Sequence, residues 1–367
     1  MRNYKILKAS LIVTALLAFT ACSSETEANR QVIKEPGKTI TVIDNEHTGT
    51  DQSEDLVEKI EHYEGINISD WLDEETVVIS KENTDMDKMS LAELSEYYPK
   101  SLYLYNVNTR EAKLLYGVKN TFLVDAKLSP DKKNILYYQS SLGDGTYAVM
   151  NMSTLKEFSI TGDVSGVAYT AHWADNENVM GASYNGSAYV ADIKGNLSEL
   201  VELEGEAVSN AIKMQDHIMY TTNTGSNLYM MNLVNKQIKD LGDKKVYRMK
   251  LSPDQKQVLL FKEKGPETMA LVIADAEGNE LKTIVEGSYN GDAAWSPDQR
   301  RIAYNIKSAD NSNTNDELYI YDLQTGKSTQ IAVNLPISSI SWSPSGQQIA
   351  LSDTSGSEPK SSIIHLK

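Results

Sequence analysis

One cysteine, Cys22, occurs in 367 residues, so no internal disulfide can form and the fold must be held by packing. Histidine is also scarce. His47, His62, His172, His217 and His365 are spread singly along the chain, whereas metal ligation by imidazole needs clustered donors. No run of 18 apolar residues is present, so no segment is long enough to remain as a spanning helix. The Gly-x-Ser-x-Gly pattern that exposes a hydrolase serine is missing, which argues against peptidase activity. Positive charge is in deficit, 35 Lys and Arg against 51 Asp and Glu, for a net −16. Such a chain is repelled by nucleic acid and by anionic headgroups.

What is present begins with a targeting segment. Arg2, Lys5 and Lys8 precede a mostly apolar run from Ala9 to Phe19, and Thr20-Ala21-Cys22 follows. That is a charged region, an apolar region and a small-residue cleavage site. The apolar run would make a helix of roughly 16 Å, about half the hydrocarbon thickness, so residues 1–21 are expected to be removed. Their loss takes three cations and no acid, and moves the net charge from −16 to −19. An unpaired cysteine in a secreted chain needs a reason, and lipidation of Cys22 supplies one. Two acyl chains hold a protein on a membrane where one would not. Residues 22–37 are polar and charged, the composition of a disordered tether. Residues 38–43 (KTITVI) alternate and are expected to form a strand, and residues 56–63 a short helix.

From about residue 64 the chain repeats itself. LSPDKKNILYY from Leu128, LSPDQKQVLLF from Leu251, WSPDQRRIAY from Trp295 and WSPSGQQIAL from Trp342 are its clearest copies. WLDEETVV from Trp71 and WADNENVM from Trp173 are a tighter variant, and IKMQDHIMY from Ile212 is degenerate. All four tryptophans occupy one repeat position. The copies read as strand, turn, strand: in Ser-Pro-Asp, Pro presets φ for the turn and Asp bonds its own backbone nearby. A second hairpin follows each of the first six, with its turn at Asn106, Asn151, Asp192, Asn232, Asp275 or Asp322. Spacings of 57, 45, 78 (across the degenerate copy), 44 and 47 between turn-leading residues fit four-stranded propeller blades of about 40–50 residues. The expected fold is therefore an all-β propeller over residues 38–367, with seven blades preferred and six as the alternative. The last unit ends after its third strand, and Lys38–Ile43 is expected to complete it and close the ring.

The Ser-Pro-Asp hairpins at Ser129, Ser252 and Ser296, with Ser-Pro-Ser at Ser343, resemble the WD40-like repeats of the TolB family. With the lipobox and the W-x-D-x-E-x-V first copy, the chain resembles YqgU-like lipoprotein propellers. That resemblance implies an extracytoplasmic lipoprotein, and six blades.

No residue stands out as catalytic. Asp131, Asp254 and Asp298 recur from unit to unit, and an active site needs one constellation where a turn is needed everywhere. Residues 308–317 are rich in oxygen side chains but lack the Asp-x-Asp-x-Asp-Gly pattern and distal Glu of a calcium loop. Neither metal nor cofactor is expected. The expectation is a monomeric, membrane-anchored, noncatalytic propeller that binds a protein or an envelope polymer on the outer face of the cell membrane. The alternative is an enzyme or sensor for a small carbohydrate or peptide in the central channel. The insertion at residues 81–100, expected to be partly helical, and the loop at 308–317 both belong to the face between second and third strands.

Overall fold

Each Ser-Pro-Asp turn closes on the same three bonds. The Ser129 amide donates to the Asn134 carbonyl, the Ser129 hydroxyl donates to Asp131 at 2.8 Å, and the Asn134 amide donates back to that hydroxyl at 2.9 Å. Ser252 with Asp254, and Ser296 with Asp298, repeat the pattern. The residue after the Asp turns left-handed, at Lys132, Gln255 and Gln299, and the matching position of the fourth copy is Gly346. All six predicted Asn and Asp residues of the second hairpins accept backbone amides from their own turns.

The computed structural model describes residues 30–35, 38–43, 56–90, 92–141, 145–160, 170–183, 186–225, 227–266, 268–287, 291–307, 316–354 and 358–367. Cys22, the segment 1–21 and residues 308–315 lie outside these. The chain divides into two units, Met1–Thr50 and Asp51–Lys367. In the first, Arg30–Glu35 pairs antiparallel with Lys38–Ile43. Two expectations change here: part of the segment read as a disordered tether is a strand, and Lys38–Ile43 pairs with it instead of closing the ring.

The second unit is all-β. Its strands form antiparallel groups of four, spanning residues 67–116, 122–159, 172–199, 208–243, 246–287 and 293–333, with the last running from 339 to 366. We number these groups one to seven along the chain. Groups one and two share one sheet through a single parallel pair, Lys100 with Phe122. Group seven supplies three strands itself and takes its fourth from Val57–Glu64, which pairs with Lys360–Leu366. The expected short helix at 56–63 is therefore the closing strand. Its apolar residues fall at Val57, Ile60 and Tyr63, a helical spacing, while in the strand a register shift lies between Val57 and Lys59 and Ile60 and Tyr63 fall on opposite faces. Being the outermost strand, it is largely exposed, and only Tyr63 is fully buried. Glu61 with His365 at 2.8 Å and His62 with Ser362 at 2.9 Å tie it across.

The core lies between neighbouring groups. Leu259 and Phe261 of group five pack with Trp295, Ile302 and Tyr304 of group six, and Ile66, Ile68 and Trp71 of group one pack with Ala350 and Ile363 of group seven. A strand covered on both faces has no reason to alternate, which explains the continuous apolar runs Val77-Val78-Ile79 and Val258-Leu259-Leu260-Phe261, all buried. Full burial of each such side chain contributes roughly 1.5–3 kcal/mol. Contact between groups seven and one closes the ring: the Ile68 amide donates to the Ser361 hydroxyl at 3.0 Å, and the Ser345 hydroxyl donates to Glu74 at 2.8 Å.

Candidate functional site

Apart from the single Lys100–Phe122 pairing in group two, the first strand of each group is an edge, with backbone donors and acceptors left over on one side. Side chains of adjoining groups take up several of them. Trp71, Trp173, Trp295 and Trp342 each donate the indole N–H backwards, to the carbonyls of Ser341, Lys127, Lys250 and Ala294. Every acceptor immediately precedes the turn-leading residue of the preceding group, so one tryptophan position meets one carbonyl position around the ring. Carboxylates do the complementary job. Asp70 accepts the Leu128 amide at 2.9 Å, and Asp292 accepts the Ile340 amide at 3.1 Å.

The repeat position before the turn-leading residue carries Asp70, Lys127, His172, Lys213, Lys250, Ala294 and Ser341. Asp292 is buried and holds Lys250 at 2.6 Å and Arg248 at 3.3 Å. Burial opposes its ionisation, but Lys250, Arg248 and the Ile340 amide together outweigh that and keep its carboxyl below the usual range. Lys127 donates to the Ser69 carbonyl at 2.5 Å, and Lys213 pairs with Asp175 at 3.6 Å. These charges are largely spent on joining one group to the next. His172 is different: its Nε2 is buried without a partner, although the residue as a whole is partly exposed, and desolvation pushes its pKa down to about 4.

The other histidines in the ring do not meet it. His217 faces Asn232 at 3.1 Å, His365 faces Glu61, and His62 meets Ser362. Among the described residues, no three His, Cys, Asp or Glu side chains are placed to hold a metal ion, and no helix is long and apolar enough to cross a membrane. The recurrent Asp131, Asp254 and Asp298 sit in the turns described above.

Two large clefts open on the face formed by the second-to-third-strand loops and the connections between groups. One, of about 860 Å³, spans groups seven, one and two and is lined by Glu64, Glu82, Asp125 and Glu358 against Lys81 and Lys100, with Tyr97 at its side. It includes the insertion at 81–100. There the expected helix reduces to one 3-10 turn, Ala92–Leu94, and the segment is pinned by the Asn83 amide to the Pro99 carbonyl, the Ser90 amide to Asn120, and a buried Met89. The other cleft, of about 940 Å³, is lined by Thr170, Ser209, Asn210, Thr222, Asn223 and Tyr247, with Lys245, Glu263 and Met269. Sequence reasoning missed it. Its residues come from three groups and share no motif, and the exposed Tyr247 is its one local signal.

The family model described as eukaryotic translation initiation factor eIF2A matches residues 200–363, less than half of the chain. No curated protein matches. Among solved structures, an oligogalacturonate lyase from Vibrio parahaemolyticus is 12% identical, with 92% of this chain and 96% of that chain covered at a TM-score of 0.63. A second oligogalacturonate lyase, in complex with manganese, is 13% identical over 84% and 91%, at 0.61. The C-terminal WD40 domain of Sif2 is 12% identical over 85% and 99%, at 0.56. Identities this low speak for architecture alone, and with the four-stranded groups they establish the fold of the second unit as an all-β propeller.

Proposed function

We propose that this chain is a noncatalytic binding propeller of seven blades, anchored through a lipid on Cys22 at the extracytoplasmic face of a bacterial membrane. Each four-stranded group is one blade, and the monomer engages a protein or envelope polymer. The observation that carries the reading is the placement of two large clefts on one face, while most of the charges on the first strands bond neighbouring groups. Loops on a rigid scaffold are where binding residues concentrate. The lyase likeness is one of fold, and fold does not carry activity. A channel-acting enzyme or sensor is the second reading, favoured by the unpaired Nε2 of His172 and Nε of Arg248.

Crosslinking in intact cells tests the binding reading. The full chain should capture a partner, and variants in which residues 84–96 or 308–315 are replaced by short glycine linkers should lose it while keeping the β-sheet circular dichroism. Undiminished capture by both variants would place binding elsewhere. Cys22→Ser should release the protein or leave it unprocessed. A cleaved variant that stays on the membrane as firmly as the parent would refute the lipid anchor.

A further inference from the structure

The cleft of about 940 Å³ between groups three, four and five has a chemistry unlike the rest of this acidic molecule. Among the described residues its walls are hydroxyls and carboxamides, from Thr170, Ser209, Asn210, Thr222 and Asn223, with Lys245 as the one cation and Glu263 as the one acid. Some of these groups are already engaged. Thr170 accepts the Ala182 amide at 2.9 Å, the Ser209 hydroxyl meets Thr221 at 3.0 Å, and the Asn210 carboxamide donates to the Tyr247 carbonyl at 3.2 Å. Among the described residues the Asn223 and Thr222 side chains and the Tyr247 hydroxyl have no such bond, which leaves them to face the cleft. Tyr247 is 39% exposed, and its ring stands edge-on to Phe261, 6.0 Å between centroids and 68° between planes. Arg248 lies over the same Phe261 ring at 4.1 Å.

A protein partner would anchor through aromatic or aliphatic side chains entering apolar pockets, and Val246 and Met269 supply little of that. A nucleotide or acidic polymer would need an excess of cations, and the described lining residues carry none, Lys245 being matched by Glu263. A fixed aromatic ring beside several uncharged donors and acceptors matches a ligand with apolar C–H faces and a rim of hydroxyls. We infer that this cleft binds a neutral saccharide stacked on Tyr247 and hydrogen-bonded by Asn223 and Thr222. The inference rests on the reading of this face as the binding face and narrows the ligand class there to a carbohydrate.

Calorimetric titration of the full chain in detergent, with cellohexaose, maltohexaose and chitohexaose as neutral probes and hexagalacturonate as the acidic one, tests it. At least one neutral hexasaccharide should bind saturably. Tyr247→Ala should weaken it by about tenfold or more, equivalent to about 1.4 kcal/mol, Asn223→Ala should weaken it less, and Tyr247→Phe should retain it. Absence of saturable binding to any neutral probe, binding of the acidic probe alone, or unchanged affinity in Tyr247→Ala with unaltered melting would each overturn the inference. Capture in cells that is lost on replacing residues 84–96 would survive those outcomes, so failure of the saccharide site and failure of the binding face are distinguishable.

Discussion

The four tryptophans show how a side chain readable in sequence acquires a role that only the structure reveals. Their shared repeat position marked them as structural, but not that each indole would bond a carbonyl of the preceding group. Removing one leaves that acceptor unpaired, at about 1–3 kcal/mol where it is buried. Trp71 is fully buried whereas Trp173 is partly open, so Trp71→Phe should cost more stability than Trp173→Phe in denaturant titration. Equal losses would mean that burial of the indole and its bond does not set the cost. His172 makes a pH prediction. Burial holds its pKa at about 4, below the ordinary 6.5, so the unfolded chain takes up a proton between these values and the folded one does not. Stability should therefore fall as pH drops from about 6.5 toward 4, by about 2 kcal/mol between pH 7 and pH 5 for this residue. His172→Gln should flatten that part of the curve. An unchanged acid limb in the variant would show that His172 protonates freely in the fold.

Among elements, the turns were legible, and so was completion of the last group by a strand from the N-terminal side, but not which strand supplies it. Ser-Pro-Asp and Asn or Asp turns announce themselves because each is satisfied within a few residues. The closing strand Val57–Glu64 depends on a partner about 300 residues away and lies outermost, so little apolar patterning was required of it. Lys38–Ile43 looked the better strand and instead completes a local hairpin with Arg30–Glu35. Truncation tests the difference. Deleting residues 23–55 should leave the melting temperature nearly unchanged, because the closing strand stays. Deleting 23–64 should lower it sharply, since Lys360–Leu366 then becomes an exposed edge. A large loss already in the shorter deletion would assign closure to the N-terminal hairpin.

For the whole molecule, repeat spacing made the propeller readable, whereas the second cleft combines residues about a hundred positions apart that no spacing links. Both clefts share the face that carries the second-to-third-strand loops, and the short turns at Ser129, Ser252, Ser296 and Asn232 occupy the opposite one. If binding defines this protein, the two faces must behave differently in the cell. Site-specific photo-crosslinking in intact cells measures that directly, with the reactive group placed singly at Tyr97 and Tyr247 on the cleft face and at the exposed Lys133 and Asn235 on the other. Discrete adducts are expected from Tyr97 or Tyr247 and none from Lys133 or Asn235; adducts from the turn face alone would refute binding through the cleft face.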